Sequence, residues 1–252
     1  MLDRGDLVAA FQAAGIGPGA LVMLHSDALV LTQIAGTDRE AALFQALDEA
    51  LGPDGTLVLP CFSYSATKGE VFDPAATPGT VGMLPEYFRT LPGVVRTSHP
   101  IFSMAVRGRL AAEFLAAPVE DCFGPDTIFD LFHRHGGVIA CLGCGFDRIT
   151  FVHYAEQRLG VDYRYFKHFP ARIIEANRER MLDTRYFVRD LGRQSETDLR
   201  RLKSALQARG QLRLVPVGRA GLTTVRAADF LETAAALLAE DPAALIREGA
   251  VS

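Results

Sequence analysis

The stretch GGVIACLGCGFDRITFVHYAEQ, residues 136–157, decides how the rest of the chain is read. Its first half is a short, continuous apolar run that turns at Gly145, as a buried strand does at its end. Its second half opens a helical pattern over 149–159 and places Thr150, His153 and Glu156 three residues apart. Strand, loop and helix in that order make a βα unit, and the same alternation runs from end to end. Helical patterns near 3–14, 38–51, 108–117, 127–135, 195–208 and 227–240 are separated by the apolar segments LVMLHS, TLVLP, IFSMAVRG and LRLVPVG. This predicts a layered α/β/α fold on a largely parallel central sheet. No Ser- or Pro-rich linker, internal repeat or low-complexity tract divides the chain, so residues 1–252 are read as one domain.

Composition narrows the function classes. With 252 residues, 49% hydrophobic and 22% charged, the chain has ample length to bury a core. A net charge of −4 argues against nucleic acid as a partner, because phosphate binding calls for a basic excess. The balance suits a cationic or neutral small substrate. No apolar run approaches the roughly 18 residues of a membrane span, and the amphipathic N-terminus does not resemble a signal segment, so a cytoplasmic location is expected. Four cysteines are too few for a disulfide scaffold in a chain this long. Cys141 and Cys144 form a CxxC, but only His133 and His135 lie near as further ligands, so it is read as strand packing and no metal is expected.

Two segments break the rhythm. Residues 60–100 carry five prolines after Pro60 and little periodicity before a short helix near 82–90. Long irregular insertions in compact domains are more often functional than idle. Residues 172–210 hold ten Arg or Lys against six Asp or Glu, which reads as a solvated basic face.

Open α/β sheets place their sites in loops beyond the carboxyl ends of the strands. That rule gathers His25, Ser26, Asp27, Ser63, Tyr64, Asp147 and Thr150. His153 and Glu156 share a face of the helix that follows, and a carboxylate beside an imidazole fixes its tautomer and makes the other nitrogen the better base. The alternative reading is a satisfied structural histidine. Ser103 sits in the apolar strand after His99 and Pro100, as a packing hydroxyl or a ligand donor. Neither GxGxxG before a helix, nor GxxxxGK[ST], nor GxSxG occurs, so common nucleotide-binding loops and the serine-hydrolase elbow are unsupported.

The pieces LVMLHSDAL, GPDGTLVLPCFSY, FDPAATPGTVGMLPEYFRTLPGVVRTSHPIFSMAVRG, FGPDTIFDLF, GGVIACLGCGFDRITFVHYAEQ, YRYFKHF and VGRAG, in this order over nearly the whole chain, resemble the aminoglycoside 3-N-acetyltransferases, or antibiotic N-acetyltransferases. The resemblance implies transfer of an acetyl or related acyl group from acetyl-CoA or another acyl-CoA to a primary amine of an amino sugar, by direct attack on the thioester. It places the CoA-binding loops at His25, Ser26, Asp27 and Ser103, and the reactive centre at Thr150, His153 and Glu156, with His153 as base. Asp73 falls on the acceptor side, where Tyr64 and Asp147 of the strand-end loops are expected to join it. A homodimer is plausible from family likeness. Where the family usually reads His-Ser-Ser, this chain reads His-Ser-Asp, which sets an acid at position 27. An aminoglycoside acceptor, and a CoA-binding homologue without catalysis, are the alternatives.

Overall fold

Residues 1–175 and 178–247 are described by a computed structural model. In chain order they form α1 (Arg4–Ala13), β1 (Leu21–Ser26), α2 (Arg39–Leu51), β2 (Thr56–Pro60), α3 (Ser65–Lys68), β3 (Val71–Phe72), α4 (Met83–Arg89), β4 (Val95–Arg96), β5 (Met104–Gly108), α5 (Ala111–Leu115), α6 (Ile128–Arg134), β6 (Val138–Leu142), α7 (Phe151–Leu159), β7 (Arg164–Glu175), β8 (Arg178–Arg189), α8 (Arg200–Ala208), β9 (Arg213–Val217), β10 (Ala220–Arg226) and α9 (Ala227–Glu240). Short 3-10 turns at Ala28–Gln33 and Phe146–Arg148 follow β1 and β6.

Strand β1 lies between β2 and β6, parallel to both. Alternate side chains of these three strands enter two different apolar clusters: Leu21, Met23, Val58, Ile139 and Cys141 face one side, and Val22, Leu24, Leu57, Leu59, Ala140 and Leu142 the other. Strands buried on both faces have no polar side to show, which is why they read as continuous apolar runs. Helices α1, α2 and α4 cover one face through Phe11, Phe44 and Phe88. Helices α6, α7 and α9 cover the other through Phe129, Phe132, Phe151 and Phe230. Two caps fix where the first helices begin: Asp3 and Asp6 form a reciprocal capping box on α1, and Asp38 accepts from the Ala41 N–H at the start of α2.

The expected layered α/β fold is present, but the sheet is mixed rather than largely parallel. Its order is β4-β5-β2-β1-β6-β10-β9, and only the β2-β1-β6 centre is parallel; β4, β5, β9 and β10 pair antiparallel. The turn out of β5 depends on Gly108, whose φ is +126° and where a Cβ would stand 2.1 Å from the Gly55 carbonyl oxygen.

A larger departure is a second sheet, β3-β7-β8, built on a long antiparallel hairpin. Much of the basic segment is this hairpin. Its charges are largely paired, as in Arg172–Glu179, Arg180–Glu175 and Arg185–Asp121. Ala171, Ile173 and Leu182 dock it on the core, while most of its other positions are polar or exposed.

The irregular 60–100 segment is organised by a buried cation. Arg96 donates to the Cys61 carbonyl at 2.6 Å, to the Ser103 hydroxyl at 3.1 Å and to the Thr77 carbonyl, and lies over the Phe72 ring. His99 pins the loop before β5, its Nδ1 accepting from the backbone N–H groups of Ile101 at 3.2 Å and Phe102 at 3.0 Å. Burial holds its pKa at about 4, below the ordinary 6.5. Because the native pKa is depressed, this contribution to stability is complete above pH 6.5 and is lost as pH falls toward 4. By pH 5 the loss amounts to roughly 2 kcal/mol. Denaturant unfolding at pH 7.5 and pH 5 checks this. His99→Asn keeps an acceptor but cannot titrate, so it narrows the difference between the two pH values by that amount; an unchanged difference contradicts the assignment.

Candidate active site

The parallel strands β1, β2 and β6 end on the same side of the sheet, and their following loops enclose a cavity of about 620 Å³. His25, Ser26, Asp27, Tyr64, Asp147 and Thr150 all line it, as the strand-end rule predicts. Two buried polar atoms there, Nε2 of His25 and Oγ of Ser26, have no hydrogen-bond partner among the described residues. Burial also lowers the His25 pKa to about 4, so the ring is neutral at pH 7. Unpaired buried polar atoms are costly in a folded protein, and a cavity wall that carries two is suited to a polar ligand. Tyr64 adds strain, since it occupies the left-handed region at φ 56° although it is not glycine.

Asp27 has a local task. Its Oδ1 accepts from the Leu29 N–H at 2.9 Å and caps the turn after β1, which ties down a carboxylate that would otherwise face the cavity freely. Cys144 reaches the same cavity. Its hydrogen bond with Cys141 lowers its thiol pKa, while Cys141 behind it, in the core, is raised. Among the described residues no group of three or more His, Cys, Asp or Glu side chains is arranged to hold a metal.

A second cavity, of about 580 Å³, lies along helix α7. Thr150, just before the helix, faces the first cavity; His153, one turn on, lines the second with Arg164, Tyr165, Lys167, Tyr186 and Arg189 from the hairpin. His153 Nδ1 lies 2.8 Å from Glu156 Oε2. A carboxylate at that distance fixes the N–H on Nδ1 and leaves Nε2 with a lone pair. The imidazole retains 22% exposure, whereas Glu156 is completely buried.

A fully buried carboxylate needs partners, and they come from the segment YRYFKHF. Arg164 Nε stands 2.7 Å from Glu156 Oε2 as an ion pair, off the axis of a hydrogen bond, while its terminal nitrogens donate to the Phe187 carbonyl and the Thr197 hydroxyl. The Tyr163 hydroxyl donates to Oε1 at 3.2 Å, and burial together with that carboxylate pushes its pKa up. The Phe123 ring meets the His153 ring edge to face.

Two expected residues are not in these cavities. Ser103 is fully buried, donating to the Cys61 carbonyl at 2.6 Å and accepting from Arg96, so its hydroxyl is already satisfied. Asp73 caps a local turn by accepting from the Ala75 and Ala76 N–H groups, and lines neither cavity. Ser63 bonds Ser65 and the Pro100 carbonyl within the fold. Conversely, Tyr163, Arg164, Lys167, Tyr186 and Arg189 drew no role from the sequence; the one signal for the first three was the motif that contains them.

A family model for aminoglycoside 3-N-acetyltransferases matches residues 23–239. The chain belongs to that family. It is an acyl-CoA-dependent N-acyltransferase, with acetyl-CoA or another acyl-CoA as co-substrate. Aminoglycoside N(3)-acetyltransferase IV of a Salmonella species is 31% identical over 244 residues, spanning 95% of this chain and 88% of the relative. The crystal structure of the aminoglycoside acetyltransferase AAC(3)-IVa apoenzyme superposes with a TM-score of 0.79 at 27% identity, covering 98% of this chain and 92% of that one. The fold is shared as well with a binary CoASH complex of AAC-IIIb, at a TM-score of 0.81, 23% identity and coverage of 95% and 97%.

The Glu156 network makes a direct claim on stability. Arg164→Ala leaves a buried carboxylate without its cation and lowers stability by roughly 3–5 kcal/mol. Adding Glu156→Gln removes the stranded charge and recovers part of that loss. Thermal unfolding of the single and double variants measures both, and a double variant less stable than Arg164→Ala alone contradicts the network.

Proposed function

We propose that the protein moves an acetyl group from acetyl-CoA to a primary amine of an amino sugar, with His153 as general base, Glu156 as its orienting carboxylate and Thr150 as a hydroxyl donor toward the acyl group. The observation that carries this reading is the His153–Glu156 pair at 2.8 Å, with His153 on the second cavity and Thr150, one turn before it, on the first. An ammonium cannot attack a carbonyl, so the acceptor must be held, deprotonated and aligned. His153 Nε2 takes the proton as the amine nitrogen attacks, and gives it to the departing sulfur as the carbon–sulfur bond breaks. Glu156 holds the ring in the tautomer this requires, and Arg164 and Tyr163 keep Glu156 in place. The second cavity, into which His153 opens, takes the acceptor.

The first cavity takes the acyl donor, for which the unpaired His25 Nε2 and Ser26 Oγ offer polar contacts and Asp27 orders the loop. Acetyl-CoA bound there supplies an activated thioester carbonyl. Tyr64 and Asp147 line that same cavity, so on this reading they meet the donor, whereas the sequence reading expects them with the acceptor. Among the described residues no helix is long and apolar enough to cross a membrane. We assign the reaction to a single domain in the cytoplasm that acts on small molecules without nucleic acid, and a homodimer on family likeness. An aminoglycoside acceptor is the second reading, favoured by the names of the relatives.

Thiol release from acetyl-CoA over a panel of amines tests the proposal. His153→Ala lowers kcat by about 10²–10⁴-fold while the thermal stabilisation by CoA stays close to that of the wild type. Undiminished turnover in His153→Ala removes this residue from the mechanism.

A further inference from the structure

The second cavity carries information about the acceptor that the family assignment does not. Its long wall is the hairpin: the register sets Tyr165 opposite Val188 and Lys167 opposite Tyr186 on one face and Arg164 opposite Arg189 at the end of the ladder, and these side chains line the cavity with His153. Side chains that alternate along paired strands share a face, so two tyrosines and a lysine stand together beside the base.

The charges there are uneven. Arg164, Lys167 and Arg189 face a single acid, Glu196. Arg164 is committed to Glu156, and Glu196 to Arg247 at 3.1 Å. Lys167 and Arg189 are left, and among the described residues neither has a carboxylate partner. The Lys167 ammonium instead lies 5.1 Å from the Phe169 ring centroid. The same hairpin pairs Arg172, Arg180 and Arg185 with acids away from the cavity, whereas Lys167 and Arg189 leave positive charge uncompensated where the acceptor would sit. Such a surface repels a polycation and attracts an anion.

We infer that the acceptor is an amino sugar that also carries a negatively charged group, a phosphate or a carboxylate, held by Lys167 and Arg189 while Tyr165 and Tyr186 pack against its ring. The inference rests on His153 being the base in this cavity. It assigns the specificity of the acceptor to two exposed cations outside the His153–Glu156–Arg164 network. Both can therefore be changed without disturbing the buried network.

The test compares kcat/KM, by thiol release with acetyl-CoA, for glucosamine, glucosamine 6-phosphate, a 2-amino-2-deoxyuronic acid and gentamicin. The wild type favours one or both anionic sugars over glucosamine by about tenfold or more, as expected for a charge-assisted contact in a solvent-open site. Which of the two leads distinguishes phosphate from carboxylate. The Lys167→Glu, Arg189→Glu double variant loses that preference: its kcat/KM for the anionic sugars falls by about tenfold or more relative to that for glucosamine. A wild type that prefers gentamicin or glucosamine, or a double variant with an unchanged order, overturns the inference while leaving acyl transfer intact. Absence of turnover on every amine sinks the acyl-transfer reading instead. Calorimetric binding of glucosamine 6-phosphate then decides the charge reading: binding weakened by the double variant supports it, and binding indifferent to the variant overturns it.

Discussion

The burial of one carboxylate organises the reactive region. Glu156 has no contact with solvent, and an unpaired charge at such a position is costly. Such a position requires that a cation and hydrogen-bond donors be brought to the carboxylate. Arg164 and Tyr163, at the start of β7, meet that need, so the helix that bears the histidine and the hairpin that walls the second cavity are locked by one set of contacts. His153 inherits its orientation from this arrangement, because the oxygen that receives its Nδ1 proton is already fixed. The ion pair thus secures geometry rather than adding net stability, in keeping with the desolvation that any buried pair must offset.

A second buried charge plays the matching part on the other side of the fold. Arg96 gathers carbonyl groups from the irregular segment between β2 and β4, and with the Ser103 hydroxyl it holds the loops that approach the first cavity. Loops without regular hydrogen bonding need such anchors, since their backbone carbonyls are otherwise unsatisfied when buried. The two cavities are therefore each framed by a cation inside the protein, Arg96 behind the loops that line the first and Arg164 in the wall of the second.

These same facts explain what was legible in the sequence. The βα alternation was, because β1, β2 and β6 are buried on both faces and so appear as unbroken apolar runs. The His153–Glu156 pair was, because i and i+3 on a helix are neighbours whatever the tertiary structure. The hairpin was not: its residues are mostly polar or exposed, and the apolar ones that dock it are too sparse to show a strand period. The antiparallel flanks of the sheet were missed for a related reason, since a short apolar strand carries no mark of its direction. Ser103 and Asp73 were expected to meet ligands from the family resemblance; in the structure the Ser103 hydroxyl bonds Arg96 and the Cys61 carbonyl, and Asp73 caps its own turn. Tyr163 and Arg164 could not be assigned at all, because their partner lies in another element and only folding joins them.

The central claim is that His153 and Glu156 act as a unit, and a double-mutant cycle on kcat/KM tests it most directly. Wild type, His153→Ala, Glu156→Gln and the double variant are compared under one set of conditions, with unfolding curves confirming that each is folded. The account predicts strong non-additivity: once His153 is gone, losing the Glu156 charge changes the rate little, and the double variant performs about as the histidine variant does. If the two effects multiply, Glu156 acts independently of His153, and the orienting role assigned to it is wrong.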